Sequence, residues 1–340
     1  MPELSMPRPE SIALVEHVAR GLPIDIDVTE LLTNRAGFMG LASQGRTSAG
    51  GSCELLATND PDWVAVNLAR PSDLEAMVAV TRDADASEHP VDALTRFAAS
   101  ATAAEVLERC QMLGVPAARL ADPEVHAQRA AVHHRLGTTA GPPETPLVVD
   151  LSSMWAGPLC ARLLGRCGME VIKVESTSRP DGARAGNRRF FEWLLDGHEE
   201  LSIDFGSASG IDQLTALARR ADVVIEASRP RALHQLGIDP EVIVAQDPGT
   251  TWVSITGYGR SGPRANWVAF GDDAAVAGGL VGHDQGGDPV FCGDAIADPL
   301  TGIFAASATL GSLHEGGGQL VDVAMSCVAR TVAVGADIDP

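Results

Sequence analysis

Residues 147–176 read LVVDLSSMWAGPLCARLLGRCGMEVIKVES, and this stretch decides the fold class. The apolar runs Leu147–Leu151 and Val171–Val174 have the length of buried strands, and Pro158–Gly168 between them has helical spacing. A strand, a helix and a second strand form a right-handed crossover, which makes the two strands parallel. The sequence therefore predicts an α/β fold built on a doubly wound parallel sheet.

The same alternation continues towards the C-terminus. Strand-like runs follow at 201–204, 223–225 and 252–255, with helical stretches at 209–218 and 240–245 between them. Ligands of such sheets bind outside the carboxyl ends of the strands. We therefore expect functional residues of this half in the loops that follow the strands.

The first 140 residues have a different pattern. Apolar runs at 53–58 and 63–68 flank the turn-forming residues 59–62, which predicts a hairpin. The segment 37–52 is rich in Gly, Ser and Ala and predicts a loop. Three stretches after the hairpin have helical spacing: 72–80, 90–99 and 102–113.

Residues 137–146, GTTAGPPETP, favour an extended linker because they combine Gly, Thr and Pro. We place a domain boundary in this segment. The resulting prediction is a smaller α+β domain over residues 1–140 and a large domain over residues 141–340.

The charge balance restricts the partners of the chain. Its 340 residues include 25 Lys and Arg against 45 Asp and Glu, a formal net charge of −20. Such a surface repels phosphate backbones and anionic lipid, so we expect no nucleic-acid and no membrane partner. Residues 1–10 lack the pattern of a signal peptide, and no uncharged apolar run is long enough for a membrane span. With six scattered cysteines, these features predict a reduced, cytoplasmic setting.

Several common site motifs are missing from the sequence. The turn after the first strand, Ser152–Pro158, lacks the G-x-G-x-x-G spacing of dinucleotide enzymes, and the chain contains neither a P-loop nor a G-x-S-x-G elbow. His126, His133 and His134 lie near a predicted helix end without Cys or Glu at ligand spacing. We interpret them as surface histidines and predict no metal site.

The best candidate for chemistry is Asp298, within Phe291–Ala306, FCGDAIADPLTGIFAA. It precedes Pro299 at the head of an apolar helical run, which is the pattern of a helix N-cap. The same position favours an ionised carboxylate, which in a dry apolar cleft can attack an acyl carbon. Spacing alone leaves both interpretations open. The region also contains one competing carboxylate and two predicted turn acids: Asp294, and Asp272 with Asp273.

Arginines are concentrated after the second strand, at Arg179, Arg184, Arg188 and Arg189, and Arg229 follows a later strand. A local basic cluster at strand ends is suited to a phosphorylated small molecule. The alternative is that these arginines pair on the surface with the abundant acids.

Six segments of residues 147–330 carry motifs in a fixed order. They are Val148–Leu151 with Ala156–Pro158; Val171–Glu175; Asp222–Glu226 with Arg229–Pro230; Ser254–Gly259 with Gly262–Pro263; Ile296–Asp298 with Gly302; and Gly318–Gln319 with Val321–Val323. In this order they resemble the family III CoA-transferases, which include formyl-CoA transferase and carnitine CoA-transferase and are related to α-methylacyl-CoA racemase. The resemblance implies the family III CoA-transferase fold, with a Rossmann-like large domain and a smaller α+β domain.

The resemblance implies a role for Asp298, which matches the family's nucleophilic aspartate. In that chemistry the carboxylate attacks an acyl-CoA thioester, an aspartyl-CoA thioester follows, and a second carboxylic acid collects the CoA. Coenzyme A is then substrate and product, with no permanently bound cofactor. The expected partners are an acyl-CoA, a carboxylic acid and, as in the family, a second copy of the chain in an interlocked homodimer.

The matching motifs also imply CoA contacts: Trp155, Ala156, Arg179, Arg184, Arg229, Gly257 and Tyr258. Arg229 corresponds to a family arginine near the CoA phosphates. Ser176 stands where a basic residue is usual, so we expect Arg179 or Arg184 to substitute for it.

Two other functions remain open at this point. The racemase branch needs a histidine at a position that falls on Phe270, and phenylalanine cannot transfer a proton. Epimerisation would therefore need Asp272 or Asp273 as the second base. The other alternative is an acyl-CoA-binding protein without catalysis.

The order of the segments departs from the family. There the large domain comes first, whereas here residues 35–130 resemble the family's smaller domain and precede the large one. Residues 43–52 resemble its glycine-containing active-site loop, which predicts a lid at Gly50-Gly51-Ser52, and 113–117 with 121–125 resemble its end. The chain is thus expected to be a shortened circular permutant, since permutation is tolerated where new termini fall in exposed segments.

Overall fold

The computed structural model describes residues 4–125, 129–141 and 143–335. The helices of these ranges are α1 (Pro9–Ala19), α2 (Val28–Met39), α3 (Pro71–Thr81), α4 (Pro90–Ser100), α5 (Ala103–Met112), α6 (Ala156–Arg166), α7 (Gly182–Gly186), α8 (Arg188–Leu194), α9 (Ala208–Arg220), α10 (Pro230–Gln235), α11 (Pro240–Gln246), α12 (Gly271–Gly278), α13 (Ala297–His314) and α14 (Met325–Val334), with a 3-10 turn at Ala84–Ser87. The strands are β1 (Cys53–Ala57), β2 (Trp63–Asn67), β3 (Ala117–Arg119), β4 (Ala131–Arg135), β5 (Leu147–Asp150), β6 (Glu170–Ser176), β7 (Glu199–Ile203), β8 (Val223–Glu226), β9 (Thr251–Thr256), β10 (Gly282–His283), β11 (Pro289–Val290) and β12 (Gln319–Ala324).

The main sheet has seven strands among the described residues, in the order β4-β12-β9-β8-β5-β6-β7. All its pairings are parallel except that of β4 with β12. Val148 and Val149 are neighbours on β5 but belong to different apolar cores, so both faces of the sheet are covered. The predicted α/β class and doubly wound parallel sheet are confirmed. The antiparallel edge strand β4 was not predicted.

The crossing of α6 and α13 fixes the geometry of one face of the sheet. Both helices are buried along most of their length in one apolar core. A Cβ on Gly302 would lie 2.9 Å from both the Ala156 carbonyl oxygen and the Leu159 Cβ. Glycine therefore allows the close approach that holds the start of α13 beside the start of α6.

A smaller sheet contains β1, β2 and β3, all antiparallel. The predicted hairpin is confirmed, with Cys53 opposite Asn67 and Ala57 opposite Trp63. The three predicted helices are confirmed as α3, α4 and α5, and they share an apolar core with β2.

The packing runs across the proposed boundary near residue 140. Helices α1 and α2 bury Val15, Leu31 and Leu32 in the core beneath the large sheet, and β4 is an edge strand of that sheet. In the predicted linker, the described residues form no helix or strand. The backbone N–H groups of Gly137 and Ala140 donate hydrogen bonds to the carbonyls of Gly318 and Gly316. The division into 1–140 and 141–340 stays a prediction.

Helix α12 connects the two sheets. Val276 packs with Cys53 and Leu55 of the smaller sheet, and its carbonyl accepts the Ala121 N–H at 3.0 Å. Ala277 packs with Ala118 on the same side. Residues of the smaller sheet are therefore held against the C-terminal half of α12. Across the described ranges, every helix is too short or too polar to span a bilayer.

Candidate active site

Asp298 lies in the first turn of α13 but does not cap it. Ile296 is the N-cap residue, Asp298 is the second residue of the helix, and no side chain of the described residues caps this end. The Asp298 N–H donates to the Ala295 carbonyl at 2.9 Å. The N-cap interpretation is therefore wrong, because the helix begins two residues earlier than the sequence pattern indicates.

Asp298 is partly exposed, and its carboxylate lies against the backbone of Gly271. A Cβ on Gly271 would lie 2.6 Å from Asp298 Oδ2 and 2.3 Å from the Ala295 carbonyl oxygen. Any larger side chain would displace one of these atoms. Gly271 is thus a residue of the site that sequence reasoning missed.

The ionisation of Asp298 differs from the expected fully charged carboxylate. Burial of the carboxyl group raises its pKa to about 7, and the negative charges of Asp272 and Asp294 add to this, whereas Arg35 opposes it. The desolvation of the carboxylate exceeds the stabilisation from the helix N-terminus. Near neutral pH, the protonated and ionised forms of Asp298 are therefore both populated.

Arg35 of α2 is the cation whose positive charge acts on these acids. Sequence analysis did not identify it as a site residue. Its Nη1 donates to Asp294 Oδ1 at 2.5 Å, between residues 259 positions apart in the chain. The Asp294 side chain is completely buried, whereas that of Arg35 is 24% exposed. Burial raises the pKa of Asp294, although Arg35 counteracts part of the effect.

Asp272 and Asp273 are buried in the first turn of α12, so their interpretation as turn acids is wrong. Asp272 accepts the Ala295 N–H at 2.9 Å, and burial with the charge of Asp294 raises its pKa to about 6. Asp273 accepts from the Asn67 amide at 3.2 Å, and burial raises its pKa to about 8. Four carboxyl groups are therefore clustered in this region with one arginine.

The predicted lid reaches this cluster. A Cβ on Gly50 would lie 3.8 Å from Arg35 Nη2 and 4.0 Å from Asp294 Oδ1. Gly50 and Gly51 are exposed, and Gly51 has a left-handed backbone with φ of 78°. The Ser52 hydroxyl donates to Asn67 Oδ1, the amide that also contacts Asp273. The structure thus brings residues 50–52 beside Arg35 and Asp294, close to the start of α13.

Trp155 and Ala156, predicted to contact CoA, form the start of α6 and are buried. The Trp155 ring lies edge-on to Phe190 at 5.3 Å, and the Arg35 guanidinium carbon lies 5.8 Å from its centroid. The Trp155 Nε1 is buried without a hydrogen-bond acceptor among the described residues. Trp155 therefore packs against the Arg35 guanidinium and forms one side of the candidate site.

The predicted arginines have different environments. Arg184 forms ion pairs with Glu175 at 2.8 Å and Glu200 at 2.5 Å, as expected for a surface pairing. Partial burial lowers the pKa of Arg229, and the positive charges of Arg231, Arg70 and Arg179 lower it further. Of these, Arg70 was not predicted; it lies at the start of α3, and its side chain already pairs with Asp73 at 2.5 Å.

Gly257 and Tyr258 follow β9. Tyr258 is buried, its hydroxyl donates to the Ala117 carbonyl at 3.3 Å, and its ring meets Trp267 edge-on at 5.4 Å. The Gly257 carbonyl accepts from the Ser326 hydroxyl at 2.8 Å. Both residues connect elements around β9, so their expected contact with CoA stays a prediction.

Lys173, the only lysine of the sequence, lies in a second buried charge cluster. Its Nζ is 3.2 Å from Asp150 Oδ2 and 3.4 Å from Asp181 Oδ2, and it also donates to the Ser152 carbonyl. Asp181 in turn accepts the N–H of Met154, the residue before Trp155, at 3.0 Å. This cluster holds the loop that follows β5.

The histidines do not form a metal site within the described ranges, where no group of three His, Cys, Asp or Glu side chains is arranged to hold an ion. His133 and His134 lie on β4 and not at a helix end, and the His133 ring contacts Gln319 at 2.6 Å. His126 lies outside the described residues.

Residues 146–335, more than half of the 340-residue chain, match the family model described as CoA-transferase family III. The chain belongs to CoA-transferase family III. The six segments of this chain that resemble the family's motifs, including the Asp298 segment, all lie within the matched residues.

Similar proteins are CoA-transferases by name. A succinyl-CoA–D-citramalate CoA-transferase of Chloroflexus aurantiacus is 32% identical over 189 residues, covering 52% of this chain and 47% of the relative. A mouse succinyl-CoA:glutarate CoA-transferase is 32% identical over 184 residues, covering 51% and 42%. This family III chain spans about half the length of the curated relatives it matches.

Solved structures agree with this membership. A CAIB/BAIF family protein from Brucella suis has a TM-score of 0.51 and 28% identity, covering 57% of this chain and 56% of that one. A hypothetical protein from Mycobacterium tuberculosis has a TM-score of 0.53 and 28% identity, covering 58% and 57%. The prediction of a family III CoA-transferase fold is confirmed.

Proposed function

We propose that this chain transfers CoA from an acyl-CoA to a carboxylic acid, with Asp298 as the nucleophile. The observation that carries the proposal is the partly exposed Asp298 carboxylate, which lies at the start of α13 in the segment that matches the family. Its pKa of about 7 leaves a substantial ionised fraction at neutral pH, and its burial keeps that fraction poorly hydrated.

The proposed reaction consists of four exchanges at Asp298. A carboxylate oxygen attacks the thioester carbonyl, the C–S bond breaks, and CoA thiolate leaves with the electron pair, which gives a mixed anhydride. The thiolate attacks the Asp298 carbonyl carbon and releases the donor carboxylate, which gives an aspartyl-CoA thioester. An acceptor carboxylate then displaces the thiolate, and the thiolate attacks the acceptor's carbonyl carbon, so that new acyl-CoA and the Asp298 carboxylate result. No net proton is consumed.

Intact mass measurement tests this chemistry. The protein is incubated with a panel of acyl-CoAs, and hydroxylamine then converts the activated Asp298 to a hydroxamate that peptide mapping locates. Asp298→Asn should form no adduct and lose transfer by at least about a thousandfold, because its amide is a poor nucleophile. A wild-type protein that turns over without an Asp298 adduct, or an active Asn variant, would contradict the proposal. The absence of both turnover and adduct would favour a binding protein without catalysis.

Epimerisation of the acyl α-carbon is the second candidate, favoured by the buried Asp272, whose charge acts on Asp298. Two carboxyl groups with pKa values of about 6 and about 7 could exchange a proton with a substrate carbon. Deuterium from solvent would then appear at that carbon of recovered acyl-CoA. Transfer without deuterium uptake would exclude this reaction.

We also propose that CoA phosphates bind at Arg229, with Arg179 beside it. The mutual effect of these charges on the pKa of Arg229 supports the idea that the cluster accommodates an anion. Arg184 stays a weaker candidate, because two glutamates already pair with it.

The permuted order, the homodimer and the cytoplasmic setting belong to the same proposal. The proximity of Gly50 to the Arg35–Asp294 pair supports the idea that the smaller sheet supplies a lid. Light scattering of the purified chain tests the homodimer, for which family membership is the support.

A further inference from the structure

The Arg35–Asp294 ion pair is incomplete on both sides. The guanidinium uses Nη1 towards Asp294 Oδ1, whereas Nε and Nη2 donate to no acceptor among the described residues. On the other side, Asp294 Oδ2 is buried with no donor among them. An arginine that serves only to neutralise a carboxylate usually forms two parallel hydrogen bonds with it. Arg35 therefore retains donors for another anion.

The unused donors are on the accessible side of the pair. The Arg35 side chain is 24% exposed, whereas Asp294 is completely buried. Nη2 lies 3.8 Å from the point where a Cβ on Gly50 would be, and glycine leaves this space open. Trp155 covers another side of the guanidinium at 5.8 Å. A small ligand could thus reach Nη2 between the loop Gly50-Gly51-Ser52, here called the glycine loop, and α13.

The surrounding charges require such a cation for an anionic substrate. Asp272, Asp294 and Asp298 are mutually coupled through their charges, and Arg35 is the cation that lowers the pKa of each of them. A free carboxylic acid approaching Asp298 brings another negative charge into this group. Without a compensating donor, its desolvation and repulsion would oppose binding.

We infer that Arg35 binds the reacting carboxylate of the free acid substrate through Nε and Nη2, beside Asp298. This inference rests on the proposed function, because it concerns the acid that is released or taken up during CoA transfer. It makes Arg35 a binding residue for carboxylates in general, since it contacts the group that every such acid shares.

The test uses the paired variant Arg35→Gln/Asp294→Asn. Arg35→Gln alone leaves a buried charge without a partner and can fail to fold, whereas the double variant removes both charges. The acceptors are acetate and succinate, with the acyl-CoA that labels Asp298 as donor, at a pH on the plateau of activity. Asp294→Asn, which leaves Arg35 in place, and Arg96→Gln, which changes an exposed arginine of α4, are the controls.

We expect the double variant to raise the KM for both acids about 10- to 100-fold, the usual value of a hydrogen bond to a charged group. The KM for acyl-CoA should stay within about twofold, and hydroxylamine should still trap the Asp298 adduct, because that half-reaction needs no free acid. Arg96→Gln should retain the wild-type KM for the acids, and Asp294→Asn, which removes a negative charge beside Arg35, should not raise it.

Unchanged KM values for the acids in a folded double variant would overturn the inference, as would an increase for succinate alone. An equal increase in Asp294→Asn would also overturn it. An adduct that forms normally in these cases leaves the proposed transfer intact, whereas a wild-type protein without any adduct refutes the transfer itself.

Discussion

Two buried clusters of charge in this protein are built from similar residues but are satisfied to different degrees. Around Lys173, Asp150 and Asp181 both lie within 3.4 Å of the ammonium group, and all three side chains are buried. Around Arg35, one oxygen of Asp294 has no donor among the described residues, and two guanidinium nitrogens have no acceptor there. A cluster whose groups satisfy one another holds the chain in place, whereas one with unused donors can bind a ligand.

The position of each cluster agrees with this difference. The Lys173 cluster fixes the loop after β5, where Asp181 holds the N–H of Met154 in a left-handed conformation with φ of 73°. The Arg35 cluster lies between α2, the glycine loop and α13. The first cluster holds the loop after β5, and the second forms part of the candidate site.

The largest expected effect is on stability. Lys173→Met should lower the free energy of unfolding by about 3–5 kcal/mol, because two buried aspartates lose their cation. Arg35→Met should cost less, since Arg35 is partly exposed and Asp294 can take up a proton at its raised pKa. Urea unfolding of both variants measures the two values. Equal or larger destabilisation by Arg35→Met would show that the two clusters have the same structural role.

A second prediction concerns the close contact behind Asp298. Gly271→Ala should lower transfer at least about tenfold and destabilise the protein by about 1–3 kcal/mol, because the new methyl group would overlap Asp298 Oδ2 and the Ala295 carbonyl. Gly311→Ala is the matched control on α13, since a Cβ there meets no atom within 4 Å. This control should keep full activity and gain about 0.5–1 kcal/mol of stability. Wild-type activity in Gly271→Ala would remove this contact from the site.

The smallest expected effect is a shift of the pH profile. Because the protonated carboxyl of Asp298 is not nucleophilic and its pKa is about 7, the transfer rate should rise about tenfold per pH unit below pH 7 and level off above it. Asp272→Asn removes a charge that raises this pKa, so the rising limb should move to lower pH by less than about one unit. Asp273→Asn should leave the limb in place. Steady-state rates from pH 5 to 9 measure the shift, and movement to higher pH in Asp272→Asn would contradict it.

The sequence predicted the elements whose pattern is local. The strands β5, β6, β8 and β9 contain short, mostly apolar runs because both of their faces are covered, and such runs can be recognised without tertiary information. The edge strand β4, AVHHR, is largely exposed, so it has no such pattern and was missed. Asp298 was found through its motif, although it does not cap the helix as the sequence pattern indicated.

Arg35 and Gly271 could not be found in this way. The partner of Arg35 is 259 residues away, and α2 is brought to it by the burial of Leu31 and Leu32 beneath the large sheet. The smallness of Gly271 matters only because α13 begins against it. Tyr258 is the opposite case, since its motif position was recognised but its ring proved to be buried against Trp267.

The sequence by itself determined the fold class, the order of the strands' apolar runs, the family and the aspartate that carries the proposed chemistry. These follow from periodicity and from motifs within short segments. Only the tertiary structure decided that Asp298 is partly protonated near neutral pH, that Arg35 pairs with Asp294 and keeps unused donors, and that Lys173 is scaffold. The physical reason is that desolvation and charge pairing depend on which distant segments are packed together, and no local pattern encodes that.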